Sequence, residues 1–136
     1  MNDKDPNESL AAASVAVADQ LDADVYLYSG GIDRAGARQF VREVCGASSL
    51  KRSGCLLILG TRGGDADAAY KIARIIKHHY SKFTLLIPGL CKSAGSLIAI
   101  GADDLVIADD GELGPLDVQL GKRDELFEYS SGLDIN

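Results

Sequence analysis

From residue 24 onward, short apolar runs alternate with stretches of helical periodicity, and glycine stands at most of the junctions. That rhythm predicts βαβ units and an α/β class with a mainly parallel sheet. Residues 25–28 (VYLY) read as a first strand stopped by Ser29-Gly30-Gly31. Asp33 is placed to cap a helix whose Ala37, Phe40, Val41, Val44 and Cys45 follow the spacing of one buried face, with Gly46 closing it. Residues 55–59 (CLLIL) form an unbroken apolar run, as expected of a strand covered on both faces. A second helix follows over 65–80, turning Ala66, Ala69, Ala73, Ile76 and Tyr80 inward and Lys71, Arg74, Lys77 and His78 outward.

Residues 84–87 (TLLI) predict a third strand, and a third helix starts near Ser93. Its sequence, SAGSLIAIGA, is almost wholly apolar, which predicts a buried central helix. Residues 105–108 (LVIA) read as a fourth strand, 113–116 as a brief extended piece, and 124–136 as a segment of weak helical character. Upstream, Ala11 to Ala18 is apolar enough to suggest a leader peptide. The preceding MNDKDPNES is acidic where such a leader is basic, so an Ala-rich surface helix capped near Asn7 or Ser9 is expected instead. The chain thus divides into an N-terminal tail and helix (1–23), a core (24–120) and an acidic segment that reads as incomplete (121–136).

Composition narrows the classes. The 136 residues are 46% hydrophobic and 25% charged, ordinary for one globular domain, and no apolar run approaches the ~20 residues of a membrane-spanning helix. The net charge is −6, and residues 103–136 carry half of the acids with only Lys122 and Arg123 opposing them, so nucleic acid is not an expected partner. Cys45, Cys55 and Cys91 sit in apolar settings at spacings that suit no metal, and read as reduced, mostly buried thiols of a cytoplasmic protein.

Two glycine-rich junctions follow consecutive strands, and in a parallel sheet such junctions meet at the carboxyl edge, where α/β proteins place their sites. The first, Arg62-Gly63-Gly64-Asp65, offers unhindered backbone N–H groups at the mouth of a helix. The second offers the Ser93 hydroxyl, with small Ala94 and Gly95 beside it. A serine facing such donors suits acyl transfer through a nucleophile and an oxyanion hole. By itself Ser93 also fits a plain helix cap, and Gly63-Gly64 a plain tight turn. Ser96, one helical turn on, is expected to face inward.

Over residues 25–119 the chain resembles the serine dehydrogenase proteinase family of Clp/crotonase-fold serine peptidases, related to signal peptide peptidase A and ClpP. The matching residues are Thr61-Arg62-Gly63-Gly64-Asp65, Lys92-Ser93-Ala94-Gly95-Ser96, Gly101-Ala102-Asp103 and Leu113-Gly114-Pro115-Leu116-Asp117, in that order. The resemblance implies a Clp/crotonase-like fold of repeated ββα and βαβ units, C-terminally shortened. It implies Ser93 as nucleophile, the amides of Gly64 and Ala94 as oxyanion hole, and Gly63 and Gly95 as supporting turn residues. It also implies a peptide or protein substrate, a homo-oligomer, and no cofactor or metal.

The departure from the family lies in the base. A Ser-His-Asp triad needs a histidine after the serine, yet His78 and His79 both precede it. Signal peptide peptidase A-like enzymes use a lysine, and Lys122 is the only lysine downstream. An exposed lysine stays protonated near pKa ~10.4, so Lys122 acts as a base only if burial lowers that value. Lys92 adjoins Ser93 but is expected to point away. Two alternatives remain: an inactive scaffold for assembly or peptide binding, and a crotonase-type acyl-CoA enzyme using Glu112 or Asp117. The G-x-S-x-G and G-x-G-x-x-G patterns are absent.

Overall fold

The computed structural model describes residues 6–47, 51–116, 119–121 and 129–131. Helix α1 (Pro6–Leu21) leads into β1 (Ala23–Ser29), α2 (Arg34–Gly46), β2 (Gly54–Gly60), α3 (Ala66–His79) and β3 (Lys82–Ile87). A two-residue strand β4 (Leu90–Cys91), helix α4 (Ala94–Ile100), β5 (Asp104–Ile107) and β6 (Glu112–Leu113) follow. Strands β7 (Gln119–Gly121) and β8 (Tyr129–Ser131) pair with each other in antiparallel fashion. The expected α/β class is what forms: β1-β2-β3-β5 is an all-parallel four-stranded sheet in that order.

Alternation along the strands decides where the core lies. Cys55, Leu57 and Leu59 of β2 and Phe83, Leu85 and Ile87 of β3 join Phe40 and Val44 of α2, Ile72 and Ile76 of α3 and Ile98 of α4 in one buried cluster. Asp33 caps α2 by accepting from the Gly36 amide, as expected, and Asp65, expected inside the second helix, instead caps α3 by accepting from the Ala68 amide. The opposite sheet face is only partly covered. Val17 and Leu21 of α1 line a cleft of about 530 Å³ there with Leu56, Thr84, Leu86 and Val106. Leu27 and Val106 stay 68% and 49% exposed.

Several expectations are corrected. Ala66 is exposed, and Ala68 and Ile72 take the inward places with Ala69, Ala73 and Ile76, because the buried stripe of α3 lies slightly round from the one the alanines suggested. Ile100, in the last turn of the expected buried helix, is 73% exposed, so α4 buries one side only. Residues 129–131 are strand rather than weak helix. Cys45 is exposed rather than inward, while Cys55 and Cys91 are buried. Burial pushes the Cys55 thiol up to about 12 and raises that of Cys91. Native protein is therefore expected to show one thiol reacting rapidly with an aromatic disulfide reagent and two more only on denaturation, with Cys45→Ser abolishing the fast phase.

Asp103 ties the layers together at the amino ends of β3 and β5. Its amide donates to the Phe83 carbonyl at 2.8 Å, the Phe83 amide donates to its carboxylate at 2.7 Å, and the Lys77 ammonium of α3 pairs with it. The hydrogen bond from Lys77, then that from the Phe83 amide, holds this carboxyl below its ordinary 3.8. A depressed folded value stabilises the fold above the unfolded pKa and loses that effect as pH falls through the folded one. Asp103→Asn is expected to lower the urea midpoint at pH 7, with the gap from wild type closing as pH drops below about 3.8; a gap independent of pH would refute this assignment.

Candidate active site

The glycine-pair turn is built by a slip in register. Ser29 pairs with Gly60, but the next bridge joins Ile32 to Gly64, so the strip after β2 has one residue more than the strip after β1. An extra residue bends its strand as a bulge does. The bend is pinned by the Ile32 amide donating to the Gly63 carbonyl at 2.9 Å and the Asp65 amide donating to the Ile32 carbonyl at 2.8 Å. These bonds use the residues on either side of Gly64, so its own amide is not part of the bridge, and Gly64 is exposed. Gly63 and Gly64 have φ of +107° and +145°, and a Cβ on Gly64 would lie 2.0 Å from the Ile32 carbonyl oxygen, so glycine is required there.

Thr61 fixes the start of the turn. It is 4% exposed, and its hydroxyl accepts from the Gly63 amide at 3.0 Å. Its amide donates to the Leu90 carbonyl and its carbonyl accepts from the Lys92 amide, binding the turn directly to the segment before Ser93. The sequence reading gave Thr61 no separate role. The available signal was a threonine two residues before a glycine, the spacing at which its hydroxyl folds back onto the backbone.

Ser93 stands between β4 and α4 with φ 49° and ψ −117°, a conformation rare for a residue with a side chain and costing of order 1–3 kcal/mol. Its amide donates to the Pro115 carbonyl at 3.1 Å, and its carbonyl accepts from the Ser96 amide at 2.8 Å. Its side chain makes no capping bond to the helix, so the plain-cap reading does not hold. A sharp strand-to-helix turn of this kind is how nucleophilic serines are presented on α/β sheets. Ser93 is half-buried, and a Cβ on Gly63 would lie 2.7 Å from the Ser93 Cβ and 3.3 Å from the Ala94 amide nitrogen. The two junctions therefore meet. On the far side of α4, a Cβ on Gly95 would lie 2.6 Å from the Thr61 Cγ2 and 2.9 Å from the Cys91 Sγ, which lets the helix seat against the turn.

Other sequence candidates are placed as follows. Lys92 pairs with Glu112 at 2.7 Å, and that contact holds the Glu112 carboxyl below its ordinary range. Arg34 pairs with Asp65 at 3.3 Å, and the Ala68 amide, followed by Arg34, keeps the Asp65 carboxyl low. Ser96 faces inward, 7% exposed, with its hydroxyl unpartnered. His78 and His79 end the 14-residue α3, about 20 Å along the helix from the turn that starts it, and His79 contacts Lys51 and Cys45 there. Lys122 and Asp117 lie outside the described residues. Among the described residues no cluster of His, Cys, Asp and Glu could hold a metal, and no helix is long and apolar enough to cross a membrane.

The ClpP-like SDH-type serine proteinase family matches residues 41–125, more than half of the sequence. The chain belongs to that family. Two uncharacterized proteins of Methanocaldococcus jannaschii are 42% and 39% identical to it over 66 residues, 48% of this chain and 23% of each relative. A serine-to-alanine variant of the 1510-N membrane-bound stomatin-specific protease matches 82% of this chain and 56% of its own, with TM-score 0.66 and 24% identity. A lysine-to-alanine variant of that protease, solved in complex with a substrate peptide, matches 76% and 49%, with TM-score 0.63 and 27% identity. ClpP1 from Listeria monocytogenes matches 64% and 51%, with TM-score 0.54 and 21% identity. The chain spans about a quarter of the curated relatives and about half of the solved proteases it matches.

The close approach at Gly63 leaves no room for a side chain against the Ser93 turn. Gly63→Ala is expected to push the Ser93 turn outward by displacing its Cβ, lowering any Ser93-dependent reaction by about a hundredfold, the penalty of a ~1 Å misplacement. The rate of covalent labelling at Ser93 measures this, and an unchanged rate would show that the contact does not position the serine.

Proposed function

We propose that this chain is a serine peptidase-like hydrolase whose nucleophile is Ser93 and whose oxyanion hole is formed by the backbone amides of Gly64 and Ala94. The observation that carries this reading is the approach of Gly63 to Ser93, with the serine held at positive φ on the turn into α4. The Gly64 amide stands outside the bridge to Ile32, and the Ala94 amide opens α4, where the first N–H groups of a helix have no partner within it. Family membership supports peptide bonds as the class of bond attacked.

In the reaction, the Ser93 hydroxyl oxygen adds to the scissile carbonyl carbon while a base takes its proton. The carbonyl oxygen becomes an oxyanion that accepts hydrogen bonds from Gly64 and Ala94. Collapse of the tetrahedral intermediate expels the amine, which leaves with the proton from the base, and water then releases the acyl group from Ser93. Loss of one oxyanion donor in such a site costs about 10²–10³ in rate. Lys122 is the base proposed from the sequence, and it needs a desolvated setting to be neutral. A homo-oligomer in which neighbouring subunits complete the site is part of the same proposal.

A fluorophosphonate probe tests the nucleophile. Wild-type protein is expected to carry a covalent adduct on Ser93 by peptide mass mapping, and Ser93→Ala none. Absence of labelling in every assembly state would overturn the hydrolase reading in favour of an inactive scaffold. The crotonase alternative loses ground because Glu112 is already engaged by Lys92.

A further inference from the structure

We propose that Arg62 is a specificity-determining residue and that the cleft beside Ser93 accepts peptide segments with an acidic side chain close to the bond to be cleaved. The inference rests on the peptidase reading and adds the chemical class of the substrate.

A cleft of about 460 Å³ opens at the carboxyl ends of β1 and β2, lined by Ser29, Gly30, Gly31, Gly60, Thr61, Arg62 and Leu90. Its position along the chain ties it to the candidate site. Arg62 precedes Gly63, the residue that touches the Ser93 turn, and Thr61 bridges to Cys91, two residues before the serine. The cleft thus adjoins the two segments that carry Gly63 and Ser93. The lining is otherwise glycine, small hydroxyl residues and one leucine, so it leaves main-chain groups accessible and supplies a single formal charge, the Arg62 guanidinium.

The neighbouring charges decide how that guanidinium behaves. Arg34 is paired with Asp65, the last residue of the turn, and Lys92, beside Ser93, with Glu112, so these two cations are already compensated. Among the described residues Arg62 has no carboxylate within ion-pair distance, and its side chain is exposed at the cleft. A guanidinium presents a planar fork of donors that fits a carboxylate with two parallel hydrogen bonds. At a partly open site such a pair favours an acidic over a neutral side chain by about fivefold, and the preference weakens as salt rises. The chain as a whole carries −6, so an acidic segment is drawn to this locus by Arg62 and not by the protein's overall field.

The experiment uses the full chain and a set of fluorescent peptides, capped at both ends, that differ only in having Asp, Asn or Lys at each position in turn. Binding is read by anisotropy on Ser93→Ala protein, and cleavage by mass spectrometry on protein with Ser93 intact. The expected result is binding in the order Asp, Asn, Lys at one position, a flat response in Arg62→Gln, and a reversed order in Arg62→Glu. Cleavage by the wild type is expected to show the same order.

Cleavage without charge preference, or a preference untouched by Arg62→Glu, overturns this inference and leaves the peptidase reading intact. Arg62-dependent binding without cleavage by the wild type upholds the acidic-segment inference and removes the hydrolase. Binding that appears only with an added uncapped control peptide, through its free terminal carboxylate, overturns the side-chain assignment, and absence of both binding and cleavage removes both readings.

Discussion

The candidate site depends on backbone hydrogen bonds that lace four loop segments together beyond the ends of the strands. Gly30 donates to the Gly60 carbonyl, Thr61 to Leu90, Lys92 to Thr61, Gly114 to Cys91, and Ser93 to Pro115. These bonds continue the sheet after its regular register has slipped, so segments that are irregular in sequence remain fixed at ladder spacing. The lacing converts two flexible glycine turns into a frame, and the positive φ of Ser93 persists because the bonds on both sides of it leave little alternative.

Much of this was legible beforehand, and the parts that were not have physical reasons. The runs 55–59 and 84–87 were readable because unbroken apolar runs of that length between turn residues suit strands of a parallel sheet, and both fall within β2 and β3, although the face away from the helices is only partly covered. Asp33 was readable because a cap is a local interaction between a carboxylate and an amide three residues on, and Asp65, expected as the first residue of its helix, makes the same bond from one position earlier. Ala66 and Cys45 were misplaced because small residues tolerate either environment, so their apolarity does not fix the phase of a helix. Strand β4 was missed because two residues show no period. It forms by pairing with β6, some twenty positions away, and is bridged to Thr61, thirty positions back; pairing at that range has no local signature. The meeting of Gly63 with Ser93 followed from the general geometry of parallel sheets, but its tightness rests on the one-residue slip at Ile32, which no composition encodes.

The electrostatic arrangement around the site is economical. Asp65 and Glu112, the acids beside the turn, are each engaged by a cation, Arg34 and Lys92. Their carboxyl groups are held ionised, so neither is a ready proton carrier, and their partners are not free to draw in an anion. The fold is shared with proteases of low overall identity, and a shared fold hosts many chemistries. The functional reading therefore rests on Ser93, Gly63 and the amides beside them, together with membership of a serine proteinase family.

The lopsided covering of the sheet carries a practical consequence. Its helix side is packed, while the other side exposes Leu27 and, in the cleft shared with Val17 and Leu21 of α1, Val106. A dye that fluoresces on apolar surface finds a ready docking place on the intact molecule, so a bright signal at low temperature does not report a molten state. Thermal scans that depend on such dyes begin from a raised baseline and compress the apparent transition. Circular dichroism, which follows the backbone, gives the cleaner melting curve for this protein.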